Sequence, residues 1–254
     1  MIEEGTLETL VENGIGTIVF GHPKSNSLPG SLLRKIAEAV REFSRDQQVR
    51  VVLLKSEGNK AFCAGASFDE LLSVKTLEES EYFFGGFAEV VLALRDCPKV
   101  VVARVQGKVV GGGVGVISAC DYVLATENAS VKLSEIALGI GPFIIGPPVE
   151  RKVGKVAYAE MGLDADWRDA AWAKAHGLFV ETYPDVATLD VSVAKVLEHF
   201  ASANPEALYH LKTILWKETE HWKTLVPERV KITAKLALTD FVQRKVQSFK
   251  QGGS

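Results

Sequence analysis

Two apolar runs of this 254-residue chain flank a glycine-rich turn. Val100-Val101-Val102-Ala103-Arg104-Val105 leads through Gln106-Gly107-Lys108-Val109-Val110 into Gly111-Gly112-Gly113-Val114-Gly115. Tyr122-Val123-Leu124-Ala125 follows. Short valine-rich runs read as buried strands, and Val114 to Ala119 between them reads as a short helix. Beyond comes Leu133-Ser134-Glu135-Ile136-Ala137-Leu138-Gly139-Ile140-Gly141, a single carboxylate in apolar company. A chain that packs strand, glycine turn, helix and strand so closely belongs to the α/β class.

The rest of the chain adds further strands and helices, without an exact repeat. Leu7 to Glu12 and Ile15 to Phe20 are strands joined by Asn13-Gly14, a hairpin signal. After a turn-rich loop from Gly21 to Gly30, an amphipathic helix is expected from Ser31 to Arg45, then a strand from Val49 to Lys55. Glu57 to Ser67 reads as a loop and Phe68 to Leu72 as a helical turn. Thr76-Leu77-Glu78-Glu79 has the form of a capping box, starting a helix to about Arg95. Pro148–Val153, Val156–Met161 and Trp167–His176 read as short helices, and Val180 to Tyr183 as a last strand. Three helices finish the chain, at about 185–201, 205–217 and 226–249, with Pro205 and Pro227 placed at helix starts. The shift to helix divides residues 1–184 from a helical segment, 185–254.

Bulk properties narrow the function. With 47% hydrophobic residues the chain has ample material for a core. Its 29 Lys+Arg stand against 32 Asp+Glu, without the basic excess that marks nucleic-acid binding. No run approaches the ~18 apolar residues of a membrane span. Met1-Ile2-Glu3-Glu4 is unlike a signal peptide, so a cytoplasmic protein is expected. Cys63, Cys97 and Cys120 are an odd number without Cys-x-x-Cys spacing, so neither a disulfide framework nor a metal site is expected.

Familiar motifs fail on spacing. A dinucleotide fingerprint from Gly111 needs glycine where Val116 stands, and from Gly113 where Ser118 stands; a P-loop ending at Gly107-Lys108 needs glycine at Val102. There is no H-E-x-x-H and no G-x-S-x-G. Two readings of the glycine run stay open. Glycines opening a helix let a ligand reach backbone N–H groups at the positive end of the dipole, which suits an oxyanion such as a thioester enolate. Alternatively, they only permit a tight turn. Glu135 is open in the same way. No charged residue occurs from Ile136 through Val149, so a desolvated carboxylate with raised pKa is one reading. A solvated turn or capping residue is the other. Asp121 fits a capping or turn role, Asp69 and Glu70 a solvated helix face. His22 and Lys24 occupy a surface loop, and Arg244, Lys245 and Lys250 form a basic end.

Three stretches together resemble the crotonase superfamily, the enoyl-CoA hydratase/isomerase family. Lys60-Ala61-Phe62-Cys63-Ala64-Gly65-Ala66 resembles its first oxyanion loop. Val105-Gln106-Gly107 through Gly111-Gly112-Gly113 and Ala119-Cys120-Asp121 resembles the second. Ser134-Glu135-Ile136-Ala137-Leu138-Gly139-Ile140 resembles the segment carrying the family's second glutamate. The resemblance implies a spiral of strand–strand–helix repeats with a C-terminal helical segment that builds homotrimers or dimers of trimers. It implies an acyl-CoA substrate, with coenzyme A part of that substrate and no separate cofactor. The N–H groups of Ala66 and Gly112 would form the oxyanion hole, each worth roughly 3 kcal/mol in the transition state. Glu135 would be catalytic. Ala64, Gly65, Gly111 and Phe143 would contact substrate, and Lys24 and the basic C-terminal residues would lie near the nucleotide.

One position departs from the pattern. Hydratases of the family commonly carry a first glutamate just after the glycine run, where Gly115 stands. The frequent Asp after the first oxyanion loop is Ser67. A lone Glu135 resembles the Δ3,Δ2-enoyl-CoA isomerases, and Leu138-Gly139-Ile140-Gly141-Pro142-Phe143 resembles their apolar wall. Tyr82-Phe83-Phe84 and Phe143 are candidates to line the acyl pocket. The rival expectations are a hydratase or decarboxylase acting on branched or carrier-bound acyl groups, and a family member that binds acyl-CoA or RNA without turnover.

Overall fold

A computed structural model describes residues 3–252, with side chains through residue 248. The chain opens with a hairpin, β1 (Thr6–Glu12) and β2 (Ile15–Gly21), followed by helix α1 (Gly30–Arg45). It then winds in repeating turns. The first is β3 (Val51–Ser56), β4 (Ala61–Cys63), α2 (Phe68–Ser73) and α3 (Leu77–Asp96). The second is β5 (Val100–Val105), β6 (Lys108–Val110) and α4 (Gly112–Ala119). The third is β7 (Tyr122–Thr126), β8 (Ser130–Lys132) and α5 (Glu135–Leu138). Then come α6 (Gly146–Val153), α7 (Lys155–Asp164), β9 (Arg168–Asp169), α8 (Ala170–Ala175) and β10 (Glu181–Tyr183). Four helices follow: α9 (Val186–Ser202), α10 (Pro205–Leu215), α11 (Trp222–Ala237) and α12 (Asp240–Gly252).

Each turn gives one strand to each of two sheets. The larger sheet runs β1-β2-β3-β5-β7-β10 and the smaller β4-β6-β8-β9. Val51 pairs with Val100 and Val102 with Tyr122 in parallel register, and Val109 pairs with Val131 in the small sheet. This is the crotonase fold of strand–strand–helix repeats expected from the motifs.

Alternation along the large sheet sorts its side chains. Val52, Leu54, Val101 and Ala103 face the main core with α1 and α3. Val51, Leu53, Val100, Val102 and Leu124 face the other way, onto Leu189, Val193 and Leu197 of α9. Burial on both faces explains why these strands read as continuous apolar runs. Helix α9 therefore closes the back of the sheet, and Arg104 crosses to it with hydrogen bonds of 2.8 and 3.2 Å to the two Asp190 oxygens. The capping box holds: Glu79 N–H donates to Thr76 Oγ1 and Thr76 N–H to Glu79 Oε2.

Several expected elements differ. The loop expected from Glu57 contains β4, and β6 and β8 were also unforeseen; three-residue strands carry too little pattern to register. The segment expected as one helix from Trp167 begins as β9. The last expected helix is two, and Pro227 lies inside α11 rather than at its start. Burial overrides propensity there. Trp222, Val226, Val230, Ala234 and Ala237 form one buried stripe running through the proline. Lys250 has its side chain outside the described ones.

Candidate active site

Two turns of the spiral meet at the glycine run. Gly111 N–H donates to Lys132 O at 2.8 Å, joining the end of β6 to the end of β8, three residues before Glu135. Gly111 takes φ +53° and ψ −123°, a backbone conformation restricted to glycine. A Cβ on it would lie 3.0 Å from Glu135 Oε1. Gly112 then opens α4, where a helix leaves its N–H groups without internal partners. The edge of the Phe87 ring occupies the place of any Cβ on Gly112.

The other loop arrives from upstream. Leu28 N–H donates to Gly65 O at 2.8 Å and Ser67 N–H to Leu28 O at 3.1 Å. Those two bonds use the residues on either side of Ala66, so the Ala66 N–H faces away from Leu28. Gly65 N–H rests on Cys63 Sγ at 3.3 Å. Burial pushes the Cys63 thiol up to about 12, which makes it a support and not a nucleophile.

Between these loops is a cavity of about 610 Å³, including its open mouth. Ala64, Gly65, Ala66, Gly111, Gly112, Glu135 and Phe143, all named from the sequence, line it. Lys24 does not. Its ammonium pairs instead with Asp69 on α2, beside the lining residue Phe68. Of the aromatic cluster, Phe84 lines the cavity, Phe83 is core and Tyr82 is exposed beneath the Arg34 guanidinium. Phe68, Leu71, Phe87, Ile144, Ile145 and Thr233 also line the cavity. Nothing in their sequence context marked them, because they converge from four separate segments. Tyr158 OH donates to Pro142 O and Arg229 Nη1 to Phe143 O, both at 3.1 Å, fixing the wall segment in place.

Glu135 is the only ionisable side chain among the described lining residues. Part of the residue reaches the surface, but Oε2 is fully enclosed and has no hydrogen-bond partner. Burial raises its pKa to about 7, against the opposing pull of its own N–H and that of Ser134. The solvated-turn reading does not hold, while the carboxylate does take up nearby N–H groups at the start of α5, as the capping reading expected.

The other acidic candidates serve the scaffold. Glu70 is no solvated face residue: its carboxylate accepts from Gly30 N–H at 2.7 Å, tying α2 to the start of α1, and burial raises its pKa. Asp121 accepts from Val101 N–H at 2.8 Å, Lys212 Nζ at 2.7 Å and Trp216 Nε1 at 2.6 Å, far from chemistry. Among the described residues no three metal-ligating side chains come together, and no helix is long and apolar enough to cross a membrane. Cys63, Cys97 and Cys120 are buried free thiols.

Fold and cavity define a crotonase-type enzyme, and comparison with known proteins agrees. A model of the enoyl-CoA hydratase/isomerase family matches residues 11–251, so the chain belongs to that family. It is 31% identical over 209 residues to a putative enoyl-CoA hydratase of Thermus thermophilus, covering 81% of this chain and 82% of that one. It is 26% identical over 233 residues to the peroxisomal Delta(3,5)-Delta(2,4)-dienoyl-CoA isomerase of Arabidopsis thaliana, covering 85% and 83%. The crystal structure of an enoyl-CoA hydratase from Bacillus halodurans superposes with a TM-score of 0.88 at 21% identity, covering 95% of this chain and 99% of that one. The family spans both water addition and double-bond migration, so the particular reaction turns on the site itself.

Proposed function

We propose that the enzyme shifts a double bond within an acyl-CoA, from 3-enoyl-CoA to 2-enoyl-CoA, with Glu135 as its single base. The Glu135 carboxylate takes a proton from the α carbon. The thioester oxygen becomes a dienolate, held by the N–H groups of Ala66 and Gly112. Glu135 then returns the proton to the γ carbon, and the double bond moves into conjugation. A pKa of about 7 suits a group that must both take and give a proton near neutral pH.

One observation carries the choice. The space in front of Gly115 is filled by Ile145, so a second carboxylate has no room at the position where hydratases of the family commonly carry one. Hydration is helped by two carboxylates that hold and activate water; the apolar wall offers one. Ala64, Gly65, Gly111 and Phe143 contact the acyl end in this reading, and Lys24, outside the cavity, serves the nucleotide end of coenzyme A.

Purified protein given 3-enoyl-CoA and 2-enoyl-CoA tests the reading. Migration of the double bond is expected. Water addition to 2-enoyl-CoA without migration rejects it in favour of a hydratase, and binding of coenzyme A with no turnover favours a non-catalytic member.

The C-terminal segment, 185–254, is proposed as the surface for a homotrimer or a dimer of trimers. Leu211, Ile214 and Leu215 of α10 are 52, 68 and 57% exposed, more apolar surface than one short helix in a monomer normally presents. Light scattering on the eluted protein gives the mass directly.

A further inference from the structure

Ser134 stands directly before α5, where a serine ordinarily caps the helix. It does not do so here. Its backbone is at φ −94° and ψ −3°, and its side chain makes no capping bond. Among the described residues no hydrogen bond engages its hydroxyl, and the residue lines the cavity. Its Oγ and Glu135 Oε1 converge on one point: they lie 3.3 and 3.0 Å from where a Cβ on Gly111 would be. The other hydroxyl of the wall, Thr233 Oγ1, is already committed, donating to Arg229 O at 3.0 Å.

We propose that Ser134 is a positioning residue for Glu135: once an acyl group seals the cavity, the Ser134 hydroxyl turns to donate a hydrogen bond to the Glu135 carboxylate. This rests on the reading of Glu135 as the base. In the open cavity water can serve the Ser134 hydroxyl, whereas Glu135 Oε2 is enclosed. An apolar acyl chain displaces that water and leaves an ionised carboxylate with two backbone N–H groups and an unpartnered Oε2, a costly state. Ser134 is the uncommitted donor at hand. Its own N–H already faces the carboxylate, and the hydroxyl reaches it by moving between staggered χ1 wells. The bond fixes the carboxylate over the acyl chain and favours its ionised form, opposing burial.

The other groups around Glu135 leave this role unfilled. From α7, Tyr158 is the titratable neighbour, and its hydroxyl is used on Pro142 O. From α11, Arg229 is used on Phe143 O. Phe241 and Val242 of α12 pack against Gly139 and are apolar. Lys132 at the end of β8 directs its ammonium to the Trp167 ring, 5.8 Å from the centroid.

The test compares wild type, Ser134→Ala and Ser134→Thr. The carboxyl of Glu135 is titrated by difference infrared spectroscopy with hexanoyl-CoA bound, a saturated thioester that does not react. The pH dependence of kcat is measured in parallel with 3-hexenoyl-CoA. In the hexanoyl-CoA complex, Ser134→Ala should raise the Glu135 midpoint by about one pH unit, with Ser134→Thr staying at the wild-type value. The acid limb of kcat, which reports the substrate-bound enzyme, should move the same way. Equal Glu135 midpoints for Ser134→Ala and wild type in the complex overturn the proposal. Because the infrared titration needs no turnover, it decides Ser134 even if the wild-type protein adds water instead of moving the double bond, an outcome that rejects only the isomerase reading.

Discussion

The side chain of Ile145 occupies the space in front of Gly115, so that any Cβ at position 115 overlaps Ile145 Cγ2 and Cβ. A residue from the loop before α6 thus decides what the second turn of α4 can carry. The consequence is a cavity with one carboxylate among its described lining residues.

Gly115→Glu alone should therefore fail to create a hydratase. Overpacking of this kind costs about 1–3 kcal/mol, visible as a lowered midpoint of urea unfolding. Pairing it with Ile145→Ala should recover part of that loss and produce measurable water addition to 2-enoyl-CoA. Hydration by the single variant at full stability would show that the chamber has room for a second carboxylate.

Glu135→Gln keeps the shape and removes the proposed base. Isomerisation should fall roughly 10²–10⁴-fold, read as kcat/KM, with thioester binding largely retained. A loss below tenfold would remove Glu135 from its role.

Ionisation of Glu135 also links activity and stability to pH in opposite senses. In the proposed role the carboxylate must be ionised to act, so kcat/KM should rise with pH through a midpoint near 7. Its folded pKa lies above the ordinary value of 4.5, so the folded state holds the proton more tightly than the unfolded chain. This group's contribution to stability is greatest below the ordinary value and declines as pH rises to about 7, by roughly 3 kcal/mol in total. Unfolding curves of wild type and Glu135→Gln across that window should diverge, the variant losing less stability as pH rises.

Gly111→Ala places a methyl 3.0 Å from Glu135 Oε1 on a backbone with φ +53°. A strained backbone costs about 1–3 kcal/mol, and the displaced carboxylate should lower kcat more than it lowers the melting temperature. Retained kcat with lowered stability would confine Gly111 to a structural part.

Asp121→Ala leaves Lys212 buried without its partner. Breaking such a pair costs roughly 3–5 kcal/mol. Chemical denaturation should show that loss, whereas kcat measured well below the melting transition should stay near wild type, because Asp121 lies outside the cavity.

Long elements were legible because each carries its period. The helix after Pro29 shows its stripe, the strand after Arg50 its apolar run, and Thr76 and Glu79 their reciprocal cap. The short strands around Phe62, Val109 and Val131 were not, since three residues hold no period and their pairing partners are distant in sequence. The candidate site was legible where its groups are glycines and one carboxylate in ordered motifs. Phe87, Ile145 and Thr233 were not, because an apolar residue that lines a cavity looks like one that fills a core.

By itself the sequence determined the family, the two loops proposed to form the oxyanion hole, the glycine turn and the absence of a glutamate at position 115, since these depend on residue type and order. Only the tertiary structure decided that Glu135 is enclosed, that its Oε2 lacks a partner and that Ile145 has taken the vacant place. Desolvation and steric exclusion arise from atoms brought together across the chain, and no local pattern records which ones will meet.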